Sequence, residues 1–369
     1  MNTQVKKLLR GKKACSPGSH LWLKKKNGSM TKGVVKIGQG QYGKVYRGCV
    51  DDGCKKFVVY KEIQQPRLTE KTNNAPLVGF VNAVKSVNPK MEFTIAKKLE
   101  NYGVPKMYLY KPCDGKEYLY SEFIDGQELE KWMKTRPTLD AVRSVMAQIV
   151  YNLYRIHKKY PGFRHHDLHG GNIMVRTVPD KNIQISLNKK YSIPNAGVEA
   201  VIIDFGFSAF PRIRNPLINT RNYVNIGISR KSDRFYDLHL FLNTMYGLCR
   251  QPSNRTERMV KTLVQSLLPP EYLSMKSTKI KNFRLRGNMN HTLPGFETVL
   301  MRPFFTETSK VNQFQKLFTK PKVSPKRLVF KAPPVVTKQV GNAKARAIAI
   351  LKAGKLITKK KPVMKFTKK

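Results

Sequence analysis

The chain has 369 residues, with 70 Lys and Arg against 23 Asp and Glu, and a formal net charge of +47. That length can bury one large core with a tail left over, and a field of that sign favours polyanions: DNA, RNA, an anionic membrane surface or acidic protein. No stretch is apolar and long enough to span a bilayer, and the basic N-terminus lacks the apolar core of a secretory signal, so neither a membrane-spanning nor a signal-led chain is expected. Residues 1–33 carry nine Lys and Arg and no acid, residues 308–369 carry eighteen and no acid, and residues 34–307 still hold about +20. The expected division is a basic N-terminal extension over 1–31, a folded domain over 32–300 and a basic, largely disordered tail over 308–369.

The first patterned stretch is Ile37-Gly38-Gln39-Gly40-Gln41-Tyr42-Gly43-Lys44-Val45. A GxGxxG spacing alone also suits a dinucleotide site, but that site needs a helix directly after the glycines. Here two strand-like runs follow, Lys44 to Val50 and Phe57 to Lys61, split by Asp51-Asp52-Gly53. A helix is expected where Met91, Ile95 and Leu99 recur around Glu92, ending near Asn101-Tyr102-Gly103. Glu70 lies in a polar stretch with no such periodicity. Lys106 to Tyr110 and Glu117 to Phe123 read as a β-hairpin. A long amphipathic helix is expected over Thr138 to Lys159, with Thr138 as its cap and Val142, Val145, Ile149, Leu153 and Ile156 as its apolar stripe.

Two further motifs follow: His165-His166-Asp167-Leu168-His169-Gly170-Gly171-Asn172, then Asp204-Phe205-Gly206 behind an apolar strand. Three imidazoles beside Asp167 invite a zinc reading, but their spacing matches no recognised zinc pattern. The Asp with an Asn five residues on, then the Asp-Phe-Gly, with the glycine hairpin and Lys61 upstream in order, resemble the eukaryotic protein-kinase superfamily from about Lys32 to Leu300. The His-x-Asp-Leu-His-Gly-Gly-Asn-Ile loop and the Ser-Asp-x-Phe-Tyr-Asp-Leu-His segment look more narrowly like serine/threonine kinases of large double-stranded DNA viruses, of the iridovirus kind.

The resemblance implies an α+β, two-lobed fold: a small β-rich N-lobe over 32–124 and a larger helical C-lobe over 125–300. It implies ATP and Mg²⁺, with Mn²⁺ as a substitute, and protein substrates. By that match Ile37 to Val45 fold over the nucleotide, and Lys61 pairs with its α- and β-phosphates, held by Glu92. Ser121 backs the adenine pocket, the backbone of Glu122 and Ile124 bonds the adenine edge, and Met174 and Ile203 form the floor. Asp167 orients the acceptor hydroxyl and takes its proton, Asn172 and Asp204 supply metal ligands, and Asp237 ties down the catalytic-loop backbone.

Departures from the family pattern carry their own expectations. His169 stands where serine/threonine kinases usually carry Lys, a form also found in small-molecule and atypical kinases. His166 replaces the Arg that normally holds a phosphorylated activation segment, and 204–237 is short, basic and without Ala-Pro-Glu, so no activating phosphorylation is expected. Insertions are expected around 65–88 and 176–197. The alternatives are a small-molecule kinase, or a non-catalytic nucleic-acid-binding virion protein on a kinase fold. Retention of Lys61, Asp167, Asn172 and Asp204 argues against the second. The tail reads as a Pro-rich linker over 320–337 and a short basic helix over 342–357, a candidate contact for DNA or RNA. Cys15, Cys49, Cys54, Cys113 and Cys249 are odd in number and scattered, which suits a host cytoplasm, nucleus or virion interior.

Overall fold

Short runs rich in Val, Tyr and Ile pair into one antiparallel sheet in the first third of the chain. The computed structural model describes residues 2–40, 43–64, 88–179, 182–187, 190–218, 221–273, 277–287 and 289–306. Gln41, Tyr42, Glu70, most of the expected insertion at 65–88 and the whole basic tail lie outside the described residues. Contacts separate Met1–Phe314 from Gln315–Lys369, and only the first unit contains described residues.

The first unit opens with α1 (Asn2–Leu8), then β1 (Trp22–Lys24), β2 (Met30–Lys32), β3 (Val35–Gly40), β4 (Gly43–Cys49) and β5 (Phe57–Gln64). Next come α2 (Pro89–Leu99), β6 (Met107–Cys113) and β7 (Lys116–Glu122). The sheet order is β2-β1-β4-β5-β7-β6, with β3 also paired to β4. Residues 1–31 are expected as an extension, yet much of this segment packs into the small lobe. Val5, Leu9, Ala14 and Leu21 are buried with Tyr60, Tyr108, Tyr118 and Tyr120. The Tyr120 hydroxyl donates to the Ala14 carbonyl at 2.6 Å. The lysines between these apolar residues keep their ammonium groups in water while the backbone is anchored.

The cysteines are not scattered in space. A disulfide joins Cys15 to Cys113, 98 residues apart, and fastens the N-terminal segment to the end of β6. Cys49 and Cys54 face each other across the Asp51–Gly53 turn, with Cα atoms 5.0 Å apart. Cys249 is a buried free thiol.

The helical region follows β8 (Gly126–Glu128) and α3 (Leu129–Lys134). Its axis is α4 (Leu139–Lys159), capped where Thr138 Oγ1 accepts from the Ala141 N–H at 3.2 Å. The expected stripe on α4 is fully buried: Val142, Val145, Ile149, Leu153 and Ile156. Burying such side chains is worth roughly 1.5–3 kcal/mol each, so α4 is a rigid base for the loop after it.

Strand β9 (Ile173–Thr177) lies between β8 and β12 (Val198–Ile202). The insertion between them folds as a hairpin, β10 (Asn182–Ser186) with β11 (Lys190–Pro194). It reads as polar, but Ile185 and Ile193 anchor it in the core. The chain then forms α5 (Arg221–Val224), the buried α6 (Tyr236–Leu248), α7 (Arg255–Leu267) and a hairpin of β13 (Ile280–Lys281) with β14 (Arg284–Leu285). No helix among the described residues is long and apolar enough to cross a membrane.

Candidate active site

The site lies between sheet and helical region, and each side of it is set by local chemistry. On the sheet side β3 and β4 turn so that Gly40 faces Gly43. A Cβ on Gly43 would sit 2.6 Å from the Glu62 carbonyl oxygen, so only glycine lets β4 approach β5 there. Ile37 is an apolar side chain left 45 % exposed on this hairpin, and Val45 is half-buried. An exposed apolar residue beside a glycine turn suits a flat ligand.

Lys61 is on β5, paired in register with Val45 on one side and Leu119 on the other. Glu92 is on α2, whose first turn is capped by Asn88 accepting from the Met91 N–H at 2.9 Å. The expected helix therefore forms, and Glu92 meets Lys61 at 3.1 Å although 31 residues separate them. Lys61 also reaches Asp204 at 3.4 Å. Burial opposes the charge on Lys61, but Asp204 and Glu92 together push its pKa up. Two carboxylates share this one ammonium. Glu92 is the more deeply placed, and burial pushes it up to about 6, with Lys61 only partly offsetting that. Asp204 is partly desolvated, but the Lys61 charge and the Gly206 N–H hold it below its ordinary value.

This arrangement sets a pH response. The folded value of Glu92 lies above its ordinary 4.5, so the folded state holds the proton more tightly than the unfolded chain. The stability linked to that proton is present below about 4.5 and lost as pH rises through about 6. Function runs the other way, because protonated Glu92 no longer fixes Lys61. The acid limb of kcat/KM, which reports the free enzyme, is expected near pH 6. Glu92→Gln should lower the plateau and abolish that limb, checked by initial rates from pH 5 to 8.

The catalytic loop is held from below. Asp237, fully buried on α6, accepts from the backbone N–H groups of His165 (2.7 Å) and His166 (2.8 Å). His165 Nε2 donates to the Ile203 carbonyl at 3.1 Å, and its Nδ1 accepts from the Asp167 N–H at 3.3 Å. Burial drives His166 down to about 4, so its ring is neutral. It donates from Nδ1 to the Phe207 carbonyl at 2.9 Å, and Nε2 lies against the Ser232 hydroxyl oxygen, which itself contacts the Ser229 carbonyl. The ring nitrogens of His165 and His166 are thus committed to main chain and Ser232, and His169 meets the Gly171 N–H and the Asn172 side chain.

Asn172 Nδ2 donates to the Asp167 carbonyl oxygen (2.8 Å) and to Asp167 Oδ2 (3.0 Å). His166 and Asp204 adopt left-handed backbone, with φ of 66° and 63°. Such strain in non-glycine residues persists only where the surroundings over-determine it. Here those surroundings are the Asp237 bonds, the Lys61 contact and the Asp204 Oδ1 bond to the Gly206 N–H at 3.2 Å.

Glu122 and Ile124 lie at the junction between β7 and β8. Glu122 donates its N–H to the Lys106 carbonyl at 2.8 Å. Its side chain pairs with Arg176 at 2.9 Å, and Arg176 also pairs with Glu199, so the junction is tied to β9 and β12. Ile124 is buried, and Met174 and Ile203 are half-buried.

Two residues absent from the sequence expectations complete the site. Buried Asn215 donates to the carbonyls of Gly206 and Ser208, both at 2.9 Å, and pins the segment after Asp204. Arg284, on β14, contacts the Asp167 carboxylate at Oδ1 and the His166 carbonyl. Burial would raise the Asp167 pKa, but its neighbours hold it at about 2. His169 Nε2 lies 3.7 Å from Asp167 Oδ2, beyond good hydrogen-bond reach, so Arg284 in direct contact is the stronger influence. Local sequence carries no sign of Arg284; the only cue is the missing cation at 169.

Residues 32–225, just over half of the chain, match the protein kinase domain family. The chain belongs to that family. A protein of Acanthamoeba polyphaga mimivirus named as a serine/threonine-protein kinase is 27 % identical over 277 residues, covering 70 % of this chain and 57 % of the relative. A similarly named protein of Invertebrate iridescent virus 6 is 26 % identical over 217 residues, 51 % of this chain and 39 % of the relative. The serine/threonine-protein kinase haspin of Bos taurus is 30 % identical over 139 residues, 37 % of this chain and 17 % of the relative. The chain therefore spans between about a sixth and just over half of the length of these relatives. A protein kinase domain implies a phosphotransferase that uses ATP and Mg²⁺ in general. The donor set here fits such a cation: Asp204 and Asn172 offer hard oxygens to the cleft. Among the described residues no group of three or more His, Cys, Asp or Glu is arranged to hold a metal ion by itself.

Proposed function

We propose that this kinase domain transfers the γ-phosphate of ATP to serine or threonine hydroxyls of protein substrates. One observation carries the reading: Lys61 bridges Glu92 and Asp204, while Asp167, oriented by Asn172, lies on the next loop. Phosphoryl transfer needs positioning and positive charge more than covalent chemistry. Lys61 would hold the α- and β-phosphates, with the Ile37–Val45 hairpin over them. Glu122 and Ile124 would take the adenine edge above Met174. Mg²⁺, when bound at Asn172 and Asp204, supplies charge neutralisation on the phosphates. Asp167 orients the acceptor hydroxyl as its oxygen bonds to the γ-phosphorus and the bond to the β-γ bridging oxygen breaks. The hydroxyl proton passes to Asp167 late, because a carboxylate held at about 2 is a weak base.

The test is an acceptor panel. Purified chain, Mg²⁺ and γ-labelled ATP are offered acidic, neutral and basic proteins together with small hydroxyl compounds. Acid-stable label on serine or threonine is expected. Label confined to small compounds would favour the small-molecule reading that His169 raised.

Activity should not require phosphorylation between Phe207 and Tyr236. The segment is already anchored by His166 to Phe207 and Ser232, by Asn215 to Gly206 and Ser208, and by paired backbone bonds between Arg164 and Ala209. Phosphatase treatment should leave the initial rate within about twofold. A large loss restored by pre-incubation with ATP would overturn this.

The basic tail lies outside the described residues, and its proposed role is polyanion binding. Eighteen cations without an acid over 308–369 should release counterions on DNA and give a steep salt dependence. Removing 308–369 should flatten that slope and leave the rate on a neutral peptide unchanged, measured by DNA titration across a salt series and a peptide assay.

A further inference from the structure

We propose that Arg284 is the positioning cation of the acceptor site, in place of the lysine that residue 169 does not provide. The inference rests on the reading of Asp167 given above. Arg284 lies 117 residues beyond Asp167, yet its guanidinium binds both Asp167 Oδ1 and the carbonyl of His166. One rigid fork therefore fixes the carboxylate relative to the loop backbone that carries it, a role for which a planar guanidinium is well suited. Asn172 holds the other oxygen at 3.0 Å, so both ends of the carboxylate are set. A carboxylate offers about four lone-pair sites, and two are left for the acceptor.

The fold gives this arginine a purpose-built mount. β13 and β14 are joined by only Asn282 and Phe283, both in left-handed backbone with φ of 52° and 63°. That two-residue turn matches the twist of a tight hairpin, but a phenylalanine at positive φ is unfavourable and needs support. The support comes from α6, where Asn243 Nδ2 donates to the Phe283 carbonyl at 3.2 Å. Tyr236, at the start of the same helix, lies against the guanidinium and donates its hydroxyl to Ile226. Gly227 packs so closely on the hairpin that a Cβ there would meet the Leu285 carbonyl oxygen at 2.6 Å. The side chain of Arg284 is only 18 % exposed. Leaving a charge this enclosed is costly unless it is paired, so Arg284 and Asp167 constrain one another.

The experiment compares Arg284→Met and Arg284→Lys with the unaltered chain, each alone and on an Asp167→Asn background. Four readings are taken: kcat, acceptor KM, nucleotide Kd and melting temperature. Arg284→Met is expected to lower kcat about 10- to 100-fold, as loss of alignment does, while acceptor KM and nucleotide Kd stay within about threefold. Arg284→Lys should recover part of kcat, because the charge remains and the fork is lost. On the Asp167→Asn background Arg284→Met should cost little more, since both act through one carboxylate. Unchanged kcat in Arg284→Met would overturn the proposal. Raised kcat would also overturn it and make Arg284 a plug on the acceptor site. Parallel loss of kcat, nucleotide affinity and melting temperature, with no recovery in Arg284→Lys, would assign Arg284 to the fold alone. The reading of Asp167 fails separately, if Asp167→Asn by itself keeps full turnover.

Discussion

Asp167→Asn should lower turnover by two or more orders of magnitude, a barrier change of roughly 3 kcal/mol or more. It should leave nucleotide affinity within about threefold. The substitution keeps the size of the side chain and its contact with Asn172. It removes the charge proposed to face the acceptor hydroxyl and one oxygen that accepts from Arg284. In the proposed reading the ground-state nucleotide contacts lie elsewhere, on Lys61 and the β3–β4 hairpin, so the loss should appear in kcat and in kcat/KM alike. Steady-state kinetics with a fluorescent-nucleotide titration separate the two quantities. Loss of nucleotide binding in step with turnover would place Asp167 in the nucleotide pocket instead.

Asp204→Asn and Lys61→Met should fail differently. In the proposed reading Asp204 offers the charged oxygen to a divalent cation, and it faces Lys61 at 3.4 Å. Its loss should raise the Mg²⁺ concentration needed for half-maximal rate by at least about tenfold and lower kcat as well, because the remaining Asn oxygens are weaker ligands. Lys61→Met removes the cation shared by Glu92 and Asp204. Turnover should fall by about two orders of magnitude or more. Glu92, with a side chain only 8 % exposed, would then be a buried carboxylate without a partner, and its pKa should climb further. Lys61→Met should therefore be less stable at pH 8 than at pH 6, whereas Asp204→Asn, whose altered side chain is 45 % exposed, should show little such trend. Magnesium titrations and melting curves at the two pH values check this pair.

The parts of the fold and the candidate site that were legible in the sequence are those written in local periodicity or in short contiguous motifs. The stripe on α4 and the Thr138 cap are spaced along one helix, so the pattern states the geometry directly. Lys61 and Glu92 were expected as partners through the family resemblance, with Glu92 chosen because Met91, Ile95 and Leu99 mark a helix around it. Asp237 was expected only through the family resemblance, which places a buried helix Asp beneath the catalytic loop. Arg284 was not, since a two-residue hairpin with Asn282 and Phe283 at its turn has no strong sequence signature and its target is 117 residues away. Asn215 was hidden for the same reason: its partners are carbonyls, which any sequence supplies. The N-terminal segment misled through charge. Nine Lys and Arg over residues 1–33 read as a basic extension outside the folded domain, but a few apolar side chains between them bury against the tyrosines of the sheet. The Cys15–Cys113 disulfide follows from that packing and from nothing in the spacing.

The most direct measurement is a single-turnover experiment with γ-labelled ATP, Mg²⁺ and a protein acceptor, run on the unaltered chain beside Asp167→Asn. Label lost from ATP is expected to appear on acceptor serine or threonine in equal amount to the ADP formed, with Asp167→Asn at least about a hundredfold slower. Equal rates in the two proteins, or ADP formed with inorganic phosphate and no labelled protein, would contradict a phosphoryl-transfer site built on Asp167.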